Sequence, residues 1–214
     1  MRAVVFVNGK MDDPQGAKAL LKPDDLIIAA DGGAVHCRTL NISPDVVIGD
    51  MDSLPEGDQH FFADQGVIFI RHDRRKDETD LELALLHARD EGANEVLVLG
   101  ALGGRWDQSF ANLLLPIYHR LTDLEVSYWH ADTWIYVINT SRTIRGAAGQ
   151  TVSLIPIGGD ARGVSTSGLG WPLDDETLFI GGSRGVSNLL IDEKAEIHVQ
   201  QGTLLCFVFD PQDK

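Results

Sequence analysis

Two aspartates, Asp50 and Asp52, follow directly on the apolar run Val46-Val47-Ile48 and its closing Gly49. In extended chain, residues two apart project from the same face. The pair is therefore expected to reach one point beyond a strand's C-terminal end, where open α/β sheets bind ligands. Two like charges aimed at one point are accounted for by a hard divalent cation. Mg²⁺ takes one or two carboxylates and fills its octahedron with water and phosphate oxygens. An isolated Asp-x-Asp is also the makings of a polar turn ahead of a helix, so the reading rests on the other charged residues nearby.

Asp31-Gly32-Gly33 ends a second apolar run, which points Asp31 into the same crevice and leaves backbone free to approach a ligand. Four of the 18 Lys and Arg residues (Arg71, Arg74, Arg75 and Lys76) fall within six positions, and the sign then reverses at Asp77-Glu78-Thr79-Asp80. Asp77 and Asp80, three apart, are neighbours on a helix face. Asp77 is the expected N-cap, whereas Asp80 is placed to orient a metal's water. Basic side chains beside a carboxylate–metal site suit a polyphosphate. Further on, Gly103-Gly104-Arg105-Trp106-Asp107-Gln108 opens a helix after a strand. A glycine turn into a helix start forms a phosphate cradle, to which Arg105 adds a forked contact that Asp107 steadies.

Several other chemistries are excluded. The chain has neither G-x-x-x-x-G-K-[ST] nor G-x-G-x-x-G. Leu54 stands where the phosphatase pattern D-x-D-x-[TV] needs Thr or Val. Gly181-Gly182-Ser183-Arg184-Gly185 matches a nucleophile elbow, with Asp192 and His198 behind it, but no helical pattern follows the serine. The seven histidines lack metal-ligand spacing. A formal net charge of −14 argues against a nucleic-acid partner and favours a cationic substrate, or an anionic one arriving with its metal. Cys37 and Cys206 read as buried, reduced thiols, and no run is apolar and long enough to span a membrane. These features, with an N-terminus that reads as a strand, predict a cytoplasmic chain.

Positioning the charged residues falls to alternating elements. Residues 3–7, 26–30, 46–49, 67–70 and 95–100 are short apolar runs suited to parallel strands covered on both faces. Leu81, Ala84, Leu85 and Ala88 recur at helical spacing, and a second helix is expected from Asp107 to about Arg120, interrupted by Pro116. This is an α/β pattern with a doubly wound, mostly parallel sheet. After residue 142 glycines crowd in and short strands follow one another at 151–157, 177–180, 195–200 and 203–209, with a tight turn at Gln201-Gly202. The expected division is an α/β domain over 1–140 and a smaller antiparallel β-sandwich over 141–214.

Taken in order, Asp31-Gly32-Gly33, Gly49-Asp50-Met51-Asp52-Ser53, Asp77-Glu78-Thr79-Asp80, Gly103-Gly104-Arg105-Trp106-Asp107-Gln108 and Ser165-Thr166-Ser167-Gly168-Leu169-Gly170-Trp171 resemble the thiamine pyrophosphokinase family. The resemblance implies a homodimer with thiamine bound between subunits, and transfer of the terminal diphosphate of ATP to the thiamine hydroxyl. It further implies that Asp50, Asp52 and Asp80 hold Mg²⁺ and ATP beside Asp31, that Arg105 and Asp107 serve the same pocket, and that Ser165 and Trp171 contact thiamine. Gly32, Lys76, Asp77, Gly103, Gly104 and Gln108 fall within or beside the nucleotide motifs, and Ser187 and Asn188 are expected near thiamine. Lys76 occupies a place where relatives vary. Trp171, flanked by Gly168, Gly170 and Pro172, offers an aromatic face to a cationic thiazolium ring. A pyrophosphokinase acting on another heterocyclic alcohol, such as a pterin, and a non-catalytic ligand sensor are the competing readings.

Overall fold

The computed structural model describes residues 1–209; the last five residues of the expected second domain lie outside them. The chain divides into two compact units, Met1–Ala131 and a second from Asp132 onward. The first contains β1 (Arg2–Phe6), β2 (Leu26–Ala30), β3 (Val46–Gly49), β4 (Ile68–Arg71), β5 (Glu95–Leu99) and β6 (Glu125–His130). They lie in the order β4-β3-β2-β1-β5-β6, and every neighbouring pair is parallel. Between them run α1 (Pro14–Ala19), α2 (Gly33–Leu40), α3 (Glu56–Asp64), α4 (Asp80–Asp90) and α5 (Trp106–Leu114). The strand order grows one way from β1 to β4 and then jumps back past β1 to β5. Right-handed crossovers in both directions place helices on both faces, which explains why β1, β2, β3 and β5 are almost wholly buried.

The direction reverses between β1 and β5, and the loops leaving these strands run together. Val7 N donates to Leu99 O (2.8 Å), Gly9 N to Gly100 O (2.7 Å) and Lys10 N to Leu102 O (2.9 Å). Such a switch point opens a crevice beyond the strand ends. The helix expected to run to about Arg120 stops earlier: α5 ends at Leu114 and a 3₁₀ turn, Leu115–Ile117, takes over, because Pro116 lacks the N–H that an α-helix would need there.

The second unit holds β7 (Thr133–Ile138), β8 (Ser141–Arg145), β9 (Thr151–Ser167), β10 (Glu176–Leu178), β11 (Asn188–Leu189), β12 (Lys194–His198) and β13 (Gln201–Phe209). All of the pairings among them are antiparallel. The division falls before β7 rather than near residue 140, because β7 pairs along its length with β13, from Ile138↔Leu204 to Thr133↔Phe209. The 17-residue β9 is shared: its 152–157 half pairs with β13 and its 165–167 end with β12. Gly158 (φ +73°) and Gly163 (φ +64°) supply the bends between the halves. It follows that β12 and β13, although consecutive, are not a hairpin; β12 lies between β8 and β9. The core is built from Ile138, Val152, Leu154, Leu178, Leu190, Ile197, Leu204 and Val208. Cys37 and Cys206 are buried free thiols, and burial pushes the Cys206 thiol up to about 12.

Candidate functional site

Three carboxylates meet over the ends of β2 and β3. Asp31, Asp50 and Asp52 each offer an oxygen, and these atoms lie within 4.8 Å of one another. Asp31 follows β2 with φ +46°, a conformation that Asp tolerates better than most residues, and its N–H donates to Ile48 O of β3 at 2.8 Å. Asp50 and Asp52 converge by a different route from strand alternation. The strand has ended at Gly49, and Met51 turns to φ +65°, with its side chain in the core at 4 % exposure. The Asp52 N–H donates to Asp50 Oδ1 (3.0 Å), an Asx-type turn that folds the two carboxylates together. Gly49, at φ +152°, leaves room for the other acids: a Cβ there would stand 2.8 Å from Asp31 Cβ and 3.0 Å from Asp80 Oδ1.

Asp31 is 4 % exposed, and its Oδ1 has no hydrogen-bond partner. Burial holds its pKa above the ordinary carboxylate range, and the charges of Asp80 and Asp50 push it further, against hydrogen bonds from Ser53 and the Gly32 N–H. A buried, unpaired acceptor among like charges destabilises the fold unless a cation completes it. The donor set, all hard oxygen, fits Mg²⁺. Asp31→Asn removes the charge, and Asn tolerates a positive φ. The variant is expected to melt about 3 °C higher at neutral pH while losing activity. A carboxylate with a raised folded-state pKa costs stability above that range and none once protonated. The gain should therefore shrink as pH falls through the raised range of Asp31, which thermal melts across pH will show.

Asp80 opens α4, but the cap is Thr79, whose Oγ1 accepts from the Glu82 N–H at 3.2 Å; Asp77, the expected cap, is exposed two residues earlier. Asp77 instead lines a groove with Glu78, Glu82, Leu114 and Tyr118. Asp80 lies beside that group without joining it, and its Oδ1 accepts from Lys76 Nζ at 2.5 Å. Arg74 Nη2 reaches Asp52 Oδ2 at 3.1 Å.

The glycine turn behaves differently from a bare cradle. Gly103 (φ +79°) is required by packing, since a Cβ there would meet Lys10 Cβ at 2.7 Å, whereas Gly104 faces open space. Gly103 through Gln108 are all exposed. Arg105 and Asp107 are paired with each other: Nε donates to Oδ1 at 3.1 Å and Nη2 to Oδ2 at 2.5 Å. That pairing lowers the Asp107 pKa and raises that of Arg105. Gly32 and Gly33 also serve packing: a Cβ on Gly32 would stand 2.4 Å from the Asn8 side chain, and one on Gly33 only 2.0 Å from Phe6 O. Asn8 and Gly9, at the switch point, escaped the reading of the sequence; their only signal was a turn after the first strand. Ser53 and Arg74 were equally unmarked as partners of the acids.

In the second unit Trp171 is 57 % exposed, beside exposed Leu189 and Ile191. The buried Asn188 side chain holds its backbone from both sides, accepting from Trp171 N (2.9 Å) and donating to Trp171 O (2.7 Å). Asn188 thus positions Trp171. Ser187 is held by its N–H on Ser153 Oγ (3.0 Å). Ser165 lines a groove with Ser141, Arg142, His198 and Pro172, the residue after Trp171, and its Oγ accepts from the Asp175 N–H at 3.0 Å. Ser183 is followed by a turn and not by a helix, which removes the elbow.

Residues 17–127 match the thiamin pyrophosphokinase catalytic domain, and residues 136–204 match the thiamin pyrophosphokinase vitamin B1 binding domain. The chain is 27 % identical over 221 residues to thiamine pyrophosphokinase 1 of Oryza sativa subsp. japonica, covering 91 % of this chain and 82 % of that one. It is 31 % identical over 165 residues to thiamine pyrophosphokinase 1 of Arabidopsis thaliana, covering 72 % of this chain and 61 % of the relative. The crystal structure of thiamine pyrophosphokinase from Bacillus subtilis superposes with a TM-score of 0.87 at 21 % identity, covering 99 % of this chain and all of that one. That of Geobacillus thermodenitrificans gives 0.86 at 24 %, covering 100 % of this chain and 99 % of that one. With the acidic crevice in the segment matched to the catalytic domain and Trp171 in the segment matched to the vitamin-binding one, the chain belongs to the thiamin pyrophosphokinase family of enzymes.

Proposed function

We propose that the chain transfers the diphosphate of ATP to the hydroxyl of thiamine, giving thiamine diphosphate and AMP. The observation that supports this reading most directly is the convergence of Asp31, Asp50 and Asp52 over adjacent strand ends, with the buried Asp31 oxygen unpaired. Asp50 and Asp52 would hold Mg²⁺, with Asp31 closing the group and Asp80 beside it. Mg²⁺ bound there supplies charge neutralisation to phosphate oxygens. The thiamine hydroxyl oxygen attacks the β-phosphorus, and the bond from that phosphorus to the AMP oxygen breaks in line with it. Transition states of this kind are loose, so the protein contributes mainly position and charge. Arg105 is exposed at the start of α5, and with its Nε and Nη2 on Asp107 it would meet the moving diphosphate through its remaining nitrogen or by exchanging that partner.

Trp171, fixed by Asn188 and exposed beside Leu189 and Ile191, is suited to stack on a thiazolium cation and to be covered by a second subunit. The chain would act as a homodimer in the cytoplasm, and no helix among the described residues is long and apolar enough to cross a membrane. Incubation with ATP, Mg²⁺ and thiamine should yield AMP and thiamine diphosphate in equal amounts. AMP formed only with a pterin alcohol, or ligand binding with no AMP at all, would overturn the assignment. In the same assay Trp171→Ala is expected to raise KM for thiamine about tenfold, the loss of a desolvated cation–π contact, with KM for ATP little changed.

A further inference from the structure

The loop between β4 and α4 brings two cations back onto the acidic crevice. Arg74 meets Asp52 from the surface, with 79 % of its side chain exposed, and a pair so open to solvent is weak. Lys76 differs: its side chain is only 13 % exposed, and its ammonium lies on Asp80 Oδ1. That oxygen faces the place a Cβ on Gly49 would occupy, next to Asp31, and the Asp80 charge is felt by Asp31. Lys76 therefore neutralises the one carboxylate of the crevice that stands outside the group of three. Its reach is set locally, because Lys76 and Asp80 are four residues apart across the start of α4. The Lys76 N–H donates to Asp73 O (3.2 Å), which anchors the loop at the same residue.

We propose that Lys76 is a built-in counter-cation, so that its ammonium and a divalent ion are alternative partners of Asp80. Whenever Asp80 is taken by the ion, the ammonium is released within reach of the nucleotide's phosphates. One residue would then weaken the binding of a free cation and strengthen the binding of ATP that arrives with one. This inference rests on the metal reading of the aspartates given above.

The two halves of the exchange predict opposite effects of one substitution. Mn²⁺ serves as the probe, with free ion followed by electron paramagnetic resonance in nucleotide-free protein. Lys76→Met, which keeps the length of the side chain without its charge, should bind Mn²⁺ about tenfold more tightly than the parent. The same variant should show a KM for ATP raised about tenfold. Lys76→Arg should restore both values towards those of the parent, which a merely structural role for the side chain would not require. Arg74→Met, which removes an exposed pair, should shift Mn²⁺ affinity by no more than about threefold. Equal Mn²⁺ affinity in the parent and Lys76→Met would overturn the exchange and leave the metal site standing. Failure of either protein to bind Mn²⁺, with or without ADP, would instead remove the metal reading itself.

Discussion

Asp50→Asn is expected to lower the rate of AMP formation about a thousandfold, while the melting temperature stays within a few degrees of the parent. The size of the effect follows from position. Asp50 belongs with Asp31 and Asp52 to the only set of three potential metal ligands found among the described residues, so the neutral amide removes one of the anionic oxygens proposed to hold the ion. Survival of the fold follows from what Asp50 does locally. Its Oδ1 accepts the Asp52 N–H that shapes the turn, and an asparagine carbonyl accepts the same bond. Stability and turnover should therefore separate. Turnover within about tenfold of the parent would place the chemistry elsewhere. A collapse in stability would mean that the Asp50 carboxylate is needed for more than the turn.

Gly33→Ala carries the largest expected effect on stability. The α2 helix begins so close to β1 that the added methyl would stand 2.0 Å from Phe6 O, 2.5 Å from Phe6 C and 3.0 Å from Val7 N. All three are backbone atoms of the central strand and its exit, so no side-chain rotation relieves the clash. Moving α2 outward would open the layer where Ala34, Cys37 and Leu40 are buried. Destabilisation of about 3 kcal/mol or more is expected, a fall in melting temperature of roughly 10 °C. Gly104→Ala provides the control. No atom lies within 4 Å of its Cβ position, and a change within about 0.5 kcal/mol is expected. If the two variants melted together, the close approach of α2 to β1 would be wrong.

The parallel strands were legible in the sequence because burial on both faces leaves a plain apolar run, and all five expected from such runs in the first unit lie within one residue of their observed ends. The division between the units was less legible. Trp134-Ile135-Tyr136-Val137-Ile138 reads like any other apolar strand, and only its pairing with residues 204–209 assigns it to the second unit. The same blindness to distant pairing put a tight turn at Gln201-Gly202, which instead open β13. In the site, the residue types were readable but the backbone that gathers them was not. Nothing in a methionine announces φ +65°, so strand alternation stood in for the turn at Met51. Gly32 and Gly33 looked like room for a ligand and proved to be room for Asn8 and β1. Asp77 lost the capping role to Thr79 because both residue types cap well and the sequence does not fix the first helical turn.

The shared strand β9 has a consequence for how the smaller unit comes apart. One continuous segment closes the hydrogen-bond ladders of two sheets, so neither sheet can peel away without tearing the other's ladder. The unit should therefore open as one cooperative block rather than by fraying layer by layer. Trp171 would then keep a fixed mount until the whole block lets go.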